Sequence, residues 1–167
     1  MVALYDDVCL KAFPNDQAVD TAMSARGAKA LTQAEVRVTF NDDPGRGWVM
    51  EDGGQTIQIM LELPPYHACS VRWMTPGGFN DQFAYRLVTN AYKGSRPGFH
   101  ERQSYQMERN GLRITAVMEV RDLPDGSHDN LMIVEQRVAD PARVAAGETA
   151  VSLRFVHQIT APGSQPG

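Results

Sequence analysis

The sequence predicts an α+β fold in which one antiparallel sheet of about eight strands carries two helices on one face. Two segments place apolar residues at the spacing of a helix, whereas the other segments alternate apolar and polar residues like half-buried strands. The chain of 167 residues, 43% of them hydrophobic, is long enough to bury a single core. We therefore expect one domain with one helix-covered face and one solvated face.

Both predicted helices begin at a capping residue and end at a glycine. The first begins at Asn15 or Asp16 and ends at Gly27. The second begins at the cap residue Asn80 and ends at Gly94. Its apolar residues, spaced for one face of a helix, are Ala84, Leu87, Val88 and Ala91. Each helix can therefore cover part of a sheet with one apolar side.

Four strands are predicted after each helix. By residue number they are 36–40, 48–50, 57–63 and 69–73 in the first half, and 99–107, 112–120, 132–138 and 151–159 in the second. The residues Asp52-Gly53-Gly54 predict a hairpin, and Asn110-Gly111 predicts a type I′ turn, because both of its residues tolerate positive φ. These short connections indicate antiparallel pairing.

Residues 1–160 are expected to form this single domain, and the tail 161–167, rich in Pro, Gly and Ser, is expected to be disordered. The element order suggests two tandem α-plus-four-strand units, the pseudo-repeats 13–75 and 79–159, whose helices both open with Asn-Asp-Gln. Asn and Asp are favoured caps in any helix, so convergence explains this match as well as duplication does. The element order resembles the architecture of secreted β-lactamase-inhibitor proteins, and that resemblance implies a doubled scaffold but no function.

Charge and cysteine content bear on partners and compartment. A net charge of −4 argues against nucleic-acid and membrane-surface partners, and no apolar run is long enough to span a bilayer. The start of the sequence lacks the features of an export signal, which leaves a cytoplasmic protein or one whose signal was removed. Cys9 and Cys69 are a candidate disulfide, with two buried thiols as the alternative, so a periplasmic or secreted location is slightly favoured over the cytoplasm.

The sequence contains none of the familiar catalytic, metal or nucleotide motifs, so no catalytic residue, metal or cofactor is predicted. His67 and Cys69 share a strand face, but a metal site needs more ligands. His157 and Gln136 each interrupt an apolar strand pattern and are the candidate pocket residues, since two polar groups in an apolar layer can line a pocket. A hydrogen-bonded core histidine is the competing interpretation.

Arginines recur on the polar sides of the predicted strands. Arginine offers planar, bidentate hydrogen bonding and is enriched at binding hot spots. The candidate binding face therefore consists of Arg72, Arg102, Arg113, Arg137 and Arg154. The competing interpretation is an ordinary solvated face with cross-strand ion pairs.

These patterns favour a non-enzymatic binding or accessory domain that recognises a protein partner through the arginine-rich sheet face or through loops. Both an exported and a cytoplasmic form of this domain stay open. Two alternatives stay open. One is a small enzyme or ligand-binding protein with a pocket near His157 and Gln136. The other is a structural module that forms homo-oligomers through an edge strand.

Overall fold

The computed structural model describes residues 1–75, 82–148 and 151–163, except for the side chains of residues 75, 82, 102 and 103. The helices are α1 (Val2–Tyr5), continued by a π-helical segment (Asp6–Ala12), α2 (Asp16–Ala25), α3 (Gln33–Phe40), α4 (Gln82–Gly94) and α5 (Pro141–Ala145). The strands are β1 (Lys29–Ala30), β2 (Gly45–Asp52), β3 (Gln55–Glu62), β4 (Ala68–Thr75), β5 (His100–Arg109), β6 (Leu112–Asp122), β7 (His128–Val138) and β8 (Val151–Thr160).

The strands form one open antiparallel sheet of eight strands, in the order β1-β2-β3-β4-β8-β7-β6-β5. This confirms the predicted α+β fold with an antiparallel sheet. The doubling of one unit is not confirmed, because three helices and the π-helical segment precede β2 whereas one helix precedes β5. Among the described helices, none is long and apolar enough to cross a bilayer.

The two predicted helices are present with the expected signals. The side chain of Asn15 caps α2 by accepting a hydrogen bond from the backbone N–H of Ala18 at 3.1 Å, and Gly27 follows the helix with positive φ. Helix α4 ends at Gly94 as expected. Its predicted cap, Asn80, lies outside the described residues, as do residues 164–167 of the predicted tail.

The predicted strand 36–40 is wrong, because these residues form the end of α3. Thr32 and Glu35 make a capping box: the backbone N–H of Thr32 donates to Glu35 Oε2 at 2.7 Å, and Thr32 Oγ1 accepts from the backbone N–H of Glu35. Val36 and Phe40 are four residues apart and lie on one side of the helix. The two-residue strand β1 takes the edge of the sheet instead.

The two faces of the sheet are covered differently. Along the register, Ile59, Val71 and Phe155 lie on one face, which we call the helix face, because α1, the π-helical segment, α2 and α4 bury it. The opposite face, marked by Arg72 and Arg154, is the open face. Helix α3 covers the open face only near β2 and β3, where Val36 and Phe40 pack on Met60, and α5 buries no residue. No described helix covers the open face across the remaining strands, which are β4, β8, β7, β6 and β5 in sheet order.

We expect Gly45→Ala to lower the free energy of unfolding by about 1–3 kcal/mol, the usual cost of overpacking. An added Cβ at Gly45 would collide with the ring of Phe40 and lie 2.9 Å from the carbonyl oxygen of Leu61, which is backbone and cannot move aside. Gly94→Ala is the matched control, since nothing lies within 4 Å of the added Cβ there. Urea unfolding of both variants measures the difference, and equal stabilities would contradict this packing of α3.

Candidate functional site

The open face carries two arginines opposite each other near the middle of the sheet. Arg72 of β4 and Arg154 of β8 are direct register partners. Nε of Arg72 donates to Ser152 Oγ at 3.0 Å, and Nε of Arg154 donates to Ser70 Oγ at 3.2 Å. Each guanidinium therefore reaches diagonally to a buried serine on the neighbouring strand. These two bonds hold both side chains against the sheet.

Arg72 and Arg154 lack an ion pair with a described carboxylate, whereas six other arginines form one. The paired ones are Arg26, Arg46, Arg113, Arg121, Arg137 and Arg143. Within the described residues, no carboxylate forms an ion pair with Arg72 or Arg154. Burial lowers the pKa of the Arg154 guanidinium, the charge of Arg72 lowers it further, and Glu62 opposes both effects. Because arginine stays protonated in proteins, the two positive charges remain side by side and favour an added anion.

A small hollow of about 50 Å³ lies between the two arginines and the neighbouring strands. Its other lining residues are Val134, Gln136 and Ser152. Guanidinium groups only donate hydrogen bonds, and the serine hydroxyl and the glutamine amide can donate as well. The hollow therefore offers several donors and two positive charges to a small group. Its chemistry suits an anion.

Exposed apolar side chains lie on the open face around this hollow. Met74, Tyr105 and Met107 expose 52%, 43% and 48% of their surface. Tyr105 lies in the same cross-strand row as Arg72 and Arg154, since the register runs from Arg154 through Val134 and Ala116 to Tyr105. Arg, Tyr and Met are enriched at protein interfaces. The open face thus combines a polar centre with an apolar margin.

Two of the other candidate arginines, Arg113 and Arg137, do not join this site. Arg113 and Arg137 are register partners on the opposite side of the sheet, and each is bound to a glutamate, Glu108 and Glu135. The reason is the register: Arg137 pairs with Val151, which is three residues from Arg154 and so points to the other face. The backbone of Arg102 pairs in β5, but its side chain lies outside the described part.

Gln136 and His157, the candidate pocket pair, lie on opposite faces of the sheet. His157 of β8 pairs with Leu131 of β7. Gln136 lies five residues after Leu131 on β7, and an odd spacing along a strand puts two side chains on opposite faces. The structure thus brings Gln136 to the hollow beside Arg72 and Arg154 and places His157 in the core. A pocket shared by the two residues is not formed.

His157 belongs to a buried polar network on the helix face. Its Nδ1 is 2.5 Å from the carbonyl oxygen of Cys9, and its Nε2 is 2.9 Å from Asp129 Oδ1. Asp129 Oδ2 accepts from the hydroxyl of Tyr92 at 3.1 Å and from the guanidinium of Arg121 at 2.8 Å. His157 and Asp129 are both fully buried. Both ring nitrogens lie within hydrogen-bonding distance of an oxygen, so the ring is held at both ends.

The network is built to keep Asp129 ionised in the core. Burial alone would raise the pKa of this carboxyl, but the hydrogen bond and charge of His157, together with Arg121 and Tyr92, outweigh it and leave the pKa below its ordinary value. The network ties β7 and β8 to α4 and to the π-helical segment. Its burial indicates a structural role. Sequence reasoning missed Asp129, although a charged residue two positions before the core residue Leu131 was a signal.

The structure joins Cys9 and Cys69, the candidate pair, in a disulfide with a Cα–Cα distance of 5.3 Å. The bridge connects the π-helical segment to β4 in the core, so Cys69 cannot serve as a metal ligand with His67, which precedes β4 and is not part of the strand. Nε2 of His67 lies instead 3.0 Å from Asp16 Oδ1. Among the described residues, no three potential ligand side chains are placed to hold a metal ion.

A second concavity lies on the helix face beside α4. This cleft, of about 310 Å³, has Val117 and Ile133 on its floor and an ion pair between Lys93 Nζ and Glu119 Oε1 at 2.5 Å on its wall. Its size is at the lower end of small-molecule sites. A further concavity, of about 660 Å³, lies on the open face beside Arg72 and Met74 and is also lined by Gln58. The cleft and the open face therefore both have a shape suited to binding.

No protein-family model matches the chain, and no curated protein and no solved structure matches it either. The function is therefore argued from the geometry alone.

Proposed function

We propose that this chain is a non-enzymatic binding domain that recognises a protein partner through the open face. The observation that carries the proposal is the pair Arg72 and Arg154, which lies on the part of the open face beyond α3 and forms no ion pair with a described carboxylate, Glu62 acting on Arg154 only through its charge. Keeping two adjacent positive charges costs folding free energy, which the single nearby charge of Glu62 offsets only in part. A partner that supplies negative charge would offset that cost.

The dimensions of the open face favour a protein over a small molecule. The hollow of about 50 Å³ is far smaller than the roughly 300 Å³ of typical small-molecule sites, and it adjoins a concavity of about 660 Å³ that shares Arg72 and continues to Met74, so the open face presents a broad surface and not one small pocket. Tyr105 lies three strands away from Arg154, which is about 14 Å at the usual strand spacing. A ligand that touches both must therefore be broad. The disulfide between Cys9 and Cys69 supports a periplasmic or secreted location for this interaction.

We expect the variant Met74→Lys/Met107→Lys to lose at least about tenfold in affinity for the natural partner, because lysine removes the apolar margin and adds positive charge. The matched control is Phe83→Lys/Leu87→Lys, which alters two even more exposed apolar residues on the outer side of α4. Both variants and the wild-type protein are immobilised and exposed to an extract of the source organism. Circular dichroism verifies that all three are folded.

The two variants separate the outcomes. A protein retained by the wild type and by the α4 control, but not by the open-face variant, supports the proposal. Retention by the open-face variant and loss from the control would place the interface on α4 and overturn it. If light scattering shows that the wild type self-associates and only the open-face variant is monomeric, the surface serves homo-oligomerisation.

A small-molecule-binding protein is the second candidate, and the cleft beside α4 is the observation that favours it. Val117 is 41% exposed on the cleft floor, so Val117→Trp would fill the cleft without disturbing the core. A metabolite extract screened by ligand-observed NMR would show a compound that binds the wild type but not this variant.

A further inference from the structure

We propose that the hollow between Arg72 and Arg154 is a binding site for a carboxylate group, supplied by an aspartate or glutamate side chain of the protein that docks on the open face. This inference rests on the proposed function and identifies the chemistry that the partner must present. The site consists of two guanidiniums, the amide of Gln136 and the hydroxyl of Ser152.

The lining of the hollow selects an anion. Nε of each arginine is already bound to a serine, which leaves the terminal guanidinium nitrogens as donors without a described carboxylate partner. Guanidinium and carboxylate groups are planar and match each other with two parallel hydrogen bonds. No described carboxylate lines the hollow. A cation or a purely apolar group would leave these donors unpaired.

The size of the hollow selects a carboxylate over a larger anion. A volume of about 50 Å³ holds one or two water molecules, and a planar carboxylate needs comparable room. The apolar side of Val134 lies next to the donors and suits the methylene groups of an acidic side chain. A phosphate ester would place charged oxygens against the apolar side chain of Val134, whereas an acidic side chain places methylene groups there.

The surroundings of the hollow indicate that the carboxylate belongs to a protein. Met74 is two residues from Arg72 along β4, and Met107 lies at the β5 edge of the neighbouring cross-strand row. A free carboxylic acid filling the hollow would leave this apolar margin exposed. A protein that inserts one acidic side chain covers both.

The direct test is a titration of the folded, disulfide-bonded protein with sodium acetate, followed by NMR of the arginine side-chain N–H groups at constant ionic strength. We expect saturable shifts of the Arg72 and Arg154 signals, with little change at Arg113, which is paired with Glu108. Sodium phosphate should bind at least about tenfold more weakly. If acetate gives no saturable shift, or if phosphate binds more tightly, the carboxylate site is wrong.

Gln136→Glu is the decisive variant, because it places a carboxylate in the hollow with almost no change in side-chain shape. We expect it to abolish the acetate response and to raise the melting temperature, since both arginines gain a counterion. The control Gln106→Glu adds the same charge at an exposed position of β5 and should leave the acetate response unchanged. An acetate response that persists in Gln136→Glu would place the anion elsewhere.

The same variant separates this inference from the proposed function. Partner capture that is lost in Gln136→Glu and kept in Gln106→Glu supports a partner carboxylate in the hollow. Capture that survives Gln136→Glu but is lost in Met74→Lys/Met107→Lys would overturn the carboxylate site and leave the open-face interface intact. If acetate binds the wild type in that case, the hollow takes a free carboxylate and not a side chain of the partner, which overturns the proposal as well.

Discussion

Asp129→Asn is expected to lower the free energy of unfolding by about 3–5 kcal/mol, the cost of breaking a buried ion pair by removing one partner. The carboxylate accepts hydrogen bonds from His157, Tyr92 and Arg121 in a fully buried setting. Asparagine keeps the shape but supplies no negative charge, so Arg121 loses its counterion and the buried hydrogen-bond partners His157 and Tyr92 lose a charged acceptor. Urea unfolding at neutral pH measures the loss.

Asp122→Asn is the matched control for this prediction. Asp122 also faces a histidine, with Oδ1 2.8 Å from Nδ1 of His128, but its side chain is 70% exposed. Exposed pairs of this kind contribute about 0–1 kcal/mol. Equal effects of the two substitutions would contradict a buried network that holds β7, β8, α4 and the π-helical segment together.

The network also predicts a specific dependence of stability on acid. Because the folded pKa of Asp129 lies below its ordinary value near 3.8, its stabilising contribution is complete above that value and is lost as pH falls through the folded pKa. The stability of the wild type should therefore fall more steeply with acid below pH 4 than that of Asp129→Asn. Parallel pH profiles for the two proteins would show that Asp129 is not selectively stabilised in its ionised form.

Removing the disulfide is expected to have the second large effect, a loss of about 4 kcal/mol for Cys9→Ala/Cys69→Ala. The bridge spans 60 residues, so the reduced unfolded chain gains considerable conformational freedom. Urea unfolding of the wild type with and without dithiothreitol gives the same comparison without mutation.

The double variant provides the control for the reductant, because dithiothreitol should not change its unfolding midpoint. The denatured, unreduced wild type should contain no titratable thiol, since Cys9 and Cys69 are joined. Two free thiols, or a wild-type midpoint that does not respond to dithiothreitol, would contradict the bridge.

The sheet could be predicted from the sequence because its strands alternate strongly, but α3 could not be recognised by alternation alone. Val36 and Phe40 fit both a strand and one side of a helix, since they are four residues apart. The capping box of Thr32 and Glu35 decides between the two, and it lies outside the alternating segment. Local capping was therefore the better signal.

The candidate site was predicted only in part, because the face on which a side chain lies depends on the register between strands that are distant in sequence. Alternation identified Arg72 and Arg154 as surface arginines, and the register then placed them side by side. The same alternation grouped Arg113 and Arg137 with them, although the register puts those two on the other side. Likewise, the partner of His157 is Asp129 across the β7–β8 pair. Such pairings come from tertiary structure.

The most direct test of the open face as the recognition surface is site-specific photo-crosslinking. The photoreactive residue p-benzoylphenylalanine replaces Met107 on the open face or, as the control, Leu87 on α4; both native side chains are exposed. If the open face is the recognition surface, position 107 gives one discrete adduct in the source organism and position 87 gives none. Unlabelled wild type competes this adduct away, but Met74→Lys/Met107→Lys does not. An adduct from position 87 alone, or equal competition by the open-face variant, would contradict the open face as the recognition surface.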